Sequence, residues 1–174
     1  VGSMADGGKV GILCGKGTNG GEGYACASFL NEMKIECDLL STIPEGEITG
    51  DARHFYDECK GKGIRFSHAQ HVKEVDFGDF NLIVDGLLGT GISGNVKPDA
   101  AEWIEAMNST FSAVLSIDIP SGINGTNGFV CGTAVQATAT VTMDFLKQGI
   151  VVQPGKSLAG EITVADIGYP AAAF

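Results

Sequence analysis

The chain has 174 residues and is 44% hydrophobic, enough for one domain with a real core. Its 11 Lys and Arg against 21 Asp and Glu leave a net charge of −10 with no basic cluster, which argues against nucleic acid as a partner. The 26 glycines are roughly double average usage but fall in loops without a repeat, so neither collagen nor low-complexity disorder fits. In chain order, KVGILC (9–14) is a short apolar run that reads as a buried strand. From Glu22 to Met33 a helix is expected, with Ala25, Phe29, Leu30 and Met33 on one face. IECDLL (35–40) reads as a strand, and ARHFYDEC places Ala52, Phe55, Tyr56 and Cys59 on one stripe of a helix that ends near Gly61. IRF (64–66) is a short strand, and FNLIVD (80–85) is a strand with an acid at its end. PDAAEWIEAMN offers Pro98 at a helix start, with Ala100, Trp103, Ile104 and Met107 facing a core. AVLSID (113–118) is another strand ending in an acid; TATVTM (138–143) and EITVAD (161–166) follow as strands.

Strands and helices alternate, and the early strands are continuously apolar. That pattern predicts an α/β fold with a mainly parallel sheet and helices on both faces. No linker or internal repeat divides the chain, so one domain over 1–174 is expected. Five cysteines form no C-x-x-C pair and read as reduced, partly buried thiols, as in a cytoplasmic protein. No apolar run approaches the ~18 residues of a membrane span. VGSMADGG is not a signal peptide, and its abrupt start suggests that something precedes it in the full gene product.

Parallel strands place their carboxyl ends on one edge, where open α/β folds bind ligands. Three strands end there in glycine-rich loops: GKGTNGGEG (15–23), DGLLGTGISGN (85–95) and DIPSGING (118–125). The usual nucleotide motifs are incomplete. Gly15, Gly17 and Gly20 fit G-x-G-x-x-G, but the second strand ends in LLST without the acid that would hold a ribose. PGKS (154–157) carries the end of a P-loop, yet Ile150 stands where its first glycine belongs.

GKGTNGGEG, VDGLLGTGISG, IDIPSG and GEITVADIGYP together resemble the YjeF N-terminal domain family, the NAD(P)H-hydrate (NAD(P)HX) epimerases. The resemblance covers Lys9 to about Pro170. It implies a Rossmann-like three-layer αβα sandwich and interconversion of the R and S forms at C6 of the hydrated nicotinamide ring. It also implies a partner NAD(P)HX dehydratase, ADP- or ATP-dependent, separate or fused, and a homodimer. Carried over, the substrate loops fall on Thr18, Asn19, Gly20, Gly21 and Glu22, and on Gly89, Thr90, Gly91, Ile92, Ser93, Gly94 and Asn95. The substrate-contacting, catalytic acid falls on Asp118, and the ligands of a potassium ion fall on Asn19, Asp85 and Ser121. Thr18 stands where the family usually has Asn, and Glu22 where it has Asp: the first loses an amide, the second moves its charge by one methylene. The family's N-terminal helical segment is absent from the sequence given. A catalytically silent nucleotide-binding or scaffold module of the same fold is the alternative.

Blander roles compete for several residues. Asn19 and Thr18 suit a turn, and Asp85 and Asp118 suit helix caps. Ser121 lacks the G-x-S-x-G elbow of a nucleophile. His68 and His71 in SHAQH have the spacing of a metal pair but no further ligand nearby, so they read as a solvated pair in a polar loop. Trp103 and Met107 read as core. Lys147, in DFLKQG after a strand, suits the site edge or the open surface equally. Gly20 and Gly91 are expected to be places where Val would block a ligand without disturbing the fold.

Overall fold

The computed structural model describes residues 8–69 and 71–168. The first seven residues, residue 70 within SHAQH, and the chain from 169 on, with the AAAF tail, lie outside the described residues. One sheet holds seven strands: β1 (Val10–Cys14), β2 (Cys37–Ser41), β3 (Arg65–His68), β4 (Leu82–Gly86), β5 (Ala113–Ile117), β6 (Ala139–Met143) and β7 (Glu161–Ala165). Their order is β3-β2-β1-β4-β5-β6-β7, and every neighbouring pair is parallel. Five α-helices accompany them: α1 (Thr18–Glu32), α2 (Gly50–Gly61), α3 (Pro98–Ser109), α4 (Gln148–Val151) and α5 (Gly155–Leu158).

Three layers follow from the period-two alternation of the central strands. Val10, Ile12, Leu39 and Val84 pack on one face with Tyr24 and Ala27 of α1 and Tyr56 and Cys59 of α2. Leu13, Leu40 and Ile83 point to the other face, against Trp103, Ile104 and Met107 of α3. The expected core stripes of α2 and α3 are therefore the observed ones. β1, β2 and β4 are buried along their whole lengths, which is why they read as largely apolar runs, with Asp38 in β2 and Asp85 in β4 buried among them.

Three expectations need correction. The first helix begins at Thr18, inside the glycine loop, and its core face is Gly20, Gly23, Tyr24 and Ala27. Of the expected face, Leu30 is buried in the core, whereas Phe29 and Met33 are 63% and 66% exposed. Glycines stand where the helix comes closest to its neighbours, and Tyr24 and Leu30 fill the rest of this face. Second, α4 and α5 occupy the connection between β6 and β7, where the sequence pattern predicts no helix; four-residue helices leave no periodic pattern to find. Third, His68 closes β3 and is not in a loop; it stays exposed, as does His71, with the His68 Nε2 3.0 Å from the Tyr56 hydroxyl and its ring stacked on Phe66.

Candidate active site

The chain leaves β1 toward β2 on one side and returns to pair with β4 on the other. The strand order reverses there, which opens a crevice beyond the carboxyl ends of β1 and β4. Only Gly15, Lys16 and Gly17 separate β1 from α1, and Gly17 turns the chain with a φ of 117°. A Cβ on Gly15 would overlap the Leu87 carbonyl, and one on Gly20 would overlap the Gly15 carbonyl. At Gly23 it would come within 2.7 Å of the Cys14 sulfur. These glycines bring the helix end down onto β1 and onto the loop that follows β4. No side chain caps α1. Its first-turn N–H groups therefore form an electropositive end beside the crevice.

Asn19, Asp85 and Ser121 come together around one peptide, that of Leu88. Asn19 Nδ2 donates to Leu88 O at 3.0 Å, and Leu88 N–H donates to Ser121 Oγ at 2.8 Å. Ser121 Oγ in turn donates to Asp85 Oδ1 at 2.5 Å. Asp85 is fully buried and accepts three further hydrogen bonds, from Leu87 N, Ser116 Oγ and Ser121 N. Burial pushes its carboxyl above the usual range, and the hydrogen bonds from Ser121, Ser116 and Leu87 oppose that shift. Neither Asp85 nor Ser121 is a helix cap or a loose loop residue. Together they fasten the loops after β4 and β5.

Asp118 follows β5 and adopts a left-handed φ of 64°. The Ile119 N–H bonds back to the Ile117 carbonyl at 2.7 Å, closing a tight turn with Asp118 at its apex. Such a backbone is uncommon outside glycine, though Asp tolerates it better than most residues. Asp118 Oδ1 accepts from Thr142 Oγ1 and Met143 N, each at 3.1 Å, and from Lys147 Nζ in an ion pair. All these contacts fall on one oxygen, leaving Oδ2 for a ligand. Glu22, half-buried in α1, has its carboxyl pushed up by burial first and by the Asp118 charge next, while Lys147 pulls it down. The first turns of α1 thus reach the Asp118 site.

Thr18, Gly91 and Ser93 to Asn95 are exposed at the mouth, and Gly89 sits beside the Asn19 side chain. Thr90 lies against Gly125 of the third loop. Ile92 is half-buried, whereas Asn95 lies beside Gly132, and the adjoining Val96 N–H bonds to Cys131 O, so the end of the second loop is fastened to the Cys131–Gly132 segment. Gly20 and Gly21 pack against Gly15 and Ala52, and this corrects the expectation that Gly20 is open. At Gly91 nothing lies within 4 Å, as expected. Sequence reasoning missed Ser116 and Thr142 and left Lys147 undecided. The two Thr of β6, Thr140 and Thr142, are both fully buried, and that alternation of inward hydroxyls in TATVTM was the available signal.

The family described as YjeF-related protein N-terminus matches residues 3–149. The chain belongs to this family. An NAD(P)H-hydrate epimerase of Oenococcus oeni is 34% identical over 161 residues, 92% of this chain and 74% of that protein. One from Legionella pneumophila is 31% identical over 172 residues, 95% of this chain and 63% of that protein. A bifunctional NAD(P)H-hydrate repair enzyme Nnr of Moorella thermoacetica is 35% identical over 167 residues, 93% of this chain but 32% of its own length. The chain therefore spans less than two thirds of the Legionella relative and about a third of the Moorella one. The crystal structure of yeast ynu0, YNL200c, has a TM-score of 0.77, covering 96% of this chain and 70% of that one at 16% identity, a likeness of fold. The YjeF-related match ends just beyond Lys147 and contains every site residue described above.

Among the described residues no three His, Cys, Asp or Glu side chains group as a metal centre. A cation here would be held by amide, hydroxyl and carbonyl oxygens, a set that suits a hard monovalent ion. Asn19, whose amide nitrogen is used on Leu88, has its oxygen to offer, and Ser121 Oγ, whose proton is shared between Asp85 and Leu88 O and which accepts from Leu88 N, keeps one lone pair. Asp85, with four donors on its two oxygens, fits as the buried negative charge beneath those ligands unless it gives one donor up. No helix of the described residues is long and apolar enough to cross a membrane.

Proposed function

We propose that the chain is an NAD(P)H-hydrate epimerase that interconverts the R and S forms of hydrated NADH and NADPH. One observation carries this: an uncapped α1 end lies beside the strand-order switch, and the charge of Asp118, a carboxylate whose hydrogen bonds all fall on one oxygen, is felt by Glu22 of the same helix. First-turn N–H groups at Thr18, Asn19 and Gly20 suit a pyrophosphate in a protein whose net charge is −10. Gly89 to Asn95 form the opposite wall, and Glu22 and Asp118 the floor near the reacting ring. The relatives named NAD(P)H-hydrate epimerase support the same activity.

The carbon to be inverted carries a hydroxyl beside a ring nitrogen. That nitrogen can expel the hydroxyl, leaving a cationic ring that water can attack from either face. Asp118 Oδ2 is placed to stabilise the cation and to exchange the proton of the departing and returning oxygen. Potassium is proposed to bind at Asn19 and Ser121 above Asp85; when bound it supplies positive charge that ties the three loops together. The relatives named bifunctional repair enzymes support a dehydratase as partner, fused or separate, that takes up the S form. The proposed location is the cytoplasm, where five unpaired thiols would stay reduced.

The presence together of the Asn19, Asp85 and Ser121 network and of Asp118 favours an enzyme over a silent scaffold, which has no need of the whole set. Incubation with the R epimer of hydrated NADH, with the epimer ratio followed by chromatography, tests the proposal. Epimerisation faster than the uncatalysed background is expected. A trace that matches the protein-free control would leave a binding module.

A further inference from the structure

Lys147 lies shortly beyond the end of β6, and its ammonium group reaches Asp118 and also donates to Met143 O at 2.8 Å. It is mostly buried, with its side chain 24% exposed, and Asp118 is covered further, at 16%. The ion pair joins two turns of the same kind on adjacent strand tips. Asp118 closes one after β5; Asp144 closes the other after β6, with a φ of 53° and a 2.6 Å bond from Phe145 N to Met143 O. A surface lysine serving only solubility would have no reason to bridge them. The charge balance points the same way. Burial and then the charge of Asp118 push the Glu22 carboxyl up, and the ligand brings negative charge of its own. An ammonium on Oδ1 offsets one of those charges and fixes the rotation of the carboxylate.

We propose that Lys147 is a positioning residue for the reaction: with Thr142 and the Met143 N–H it clamps Asp118 Oδ1, so that Oδ2 alone meets the reacting carbon. This rests on the epimerase activity proposed above. Lys147 makes and breaks no bond of the substrate. In the reaction one C–O bond breaks and one forms, the departing hydroxyl leaves as water with a proton that the incoming water returns, and no electrons change hands.

Lys147→Gln keeps a hydrogen-bond donor without the charge, and Lys147→Arg keeps the charge. With the R epimer of hydrated NADH as substrate, Lys147→Gln should lower kcat about tenfold or more while KM stays within about threefold, as expected when a reacting group is misplaced but the substrate is still held. Lys147→Arg should recover part of that loss. Circular dichroism and Tm check the fold. If Lys147→Gln does not fold, Thr142→Val, which removes a different Oδ1 donor at constant shape, should show the same fall in kcat at constant KM. A kcat near wild type in the folded variant, equal loss in the Arg and Gln variants, or a rise in KM alone would each overturn the inference. A wild-type protein without activity overturns the epimerase proposal and this inference with it; an active wild type beside an unaffected variant overturns this inference alone.

Discussion

Asp118 has an unusual backbone for an acidic residue, and that makes it a clean site for substitution. Asn is the residue besides Gly that best accepts a left-handed φ, so Asp118→Asn should keep the turn at 64° and the fold around it. The amide cannot exchange a proton with the reacting oxygen. Ligand affinity should survive while turnover falls by at least ~10²-fold, the lower end of general acid–base contributions. Single-turnover kinetics on the R epimer would show this, and a rate near wild type would leave Asp118 a binding residue only. Glu22 makes a separate prediction about pH. Its folded-state carboxyl is pushed above the ordinary value by burial and by Asp118, so the native protein holds a proton that the unfolded chain would release. Stability from that proton is present below the ordinary Glu range and is lost as pH rises through the raised value. Glu22→Gln should therefore melt above wild type near pH 7, and the gap should close toward about pH 4, where both carry no charge. Equal Tm values at both pH values would mean that burial costs Glu22 nothing.

At the scale of the element, α1 explains why a glycine-rich loop is legible in place and misleading in detail. Composition marks GKGTNGGEG as a loop kept clear of side chains, and three such loops on one edge of a parallel sheet locate the site. What composition does not distinguish is a glycine that leaves room for a ligand from one that leaves room for another backbone. Gly20 is of the second kind and Gly91 of the first. Gly20→Val should therefore lower stability by at least about 1–3 kcal/mol, since its neighbour is main chain that cannot move aside. That corresponds to about 2–4 °C of Tm per kcal/mol. Gly91→Val should leave Tm unchanged and weaken dinucleotide binding, as titration calorimetry would measure. A stable Gly20→Val protein would put the helix farther from β1 than described. The strands β1, β2 and β4 are legible because burial on both faces demands apolar residues at most positions, the exceptions Asp38 and Asp85 being held by polar partners. Phe29 and Met33 mislead because they face outward, while the packed face mixes glycines and Ala27 with Tyr24 and Leu30 and so shows no clean apolar stripe.

In the whole molecule the site draws on segments that lie far apart in sequence and meet only through the strand order. The family motifs make Asn19, Asp85, Asp118 and Ser121 visible, whereas Ser116 stays unassigned because its role exists only once β4 and β5 are adjacent, and Lys147 and Thr142 because theirs need β5 beside β6. If potassium binds above Asp85, it joins three loops of the folded state that the unfolded chain scatters. Tm should then rise with potassium chloride relative to choline chloride at equal ionic strength, following the ligand-binding linkage. Identical melting in the two salts would remove the ion from the proposal. The sheet order has a consequence for how the protein is made. The central strand comes first in the chain, and its pairing of Val10 with Leu82 must wait until the β4 segment has been synthesised. Pairings of such long range are slow to form, and until this one does, an edge of β1 stays open even after β2 has docked on the other. The nascent chain thus spends its early life with a wholly apolar strand edge uncovered. The hazard ends when the Asp85 strand docks, which is also the step that begins to build the crevice.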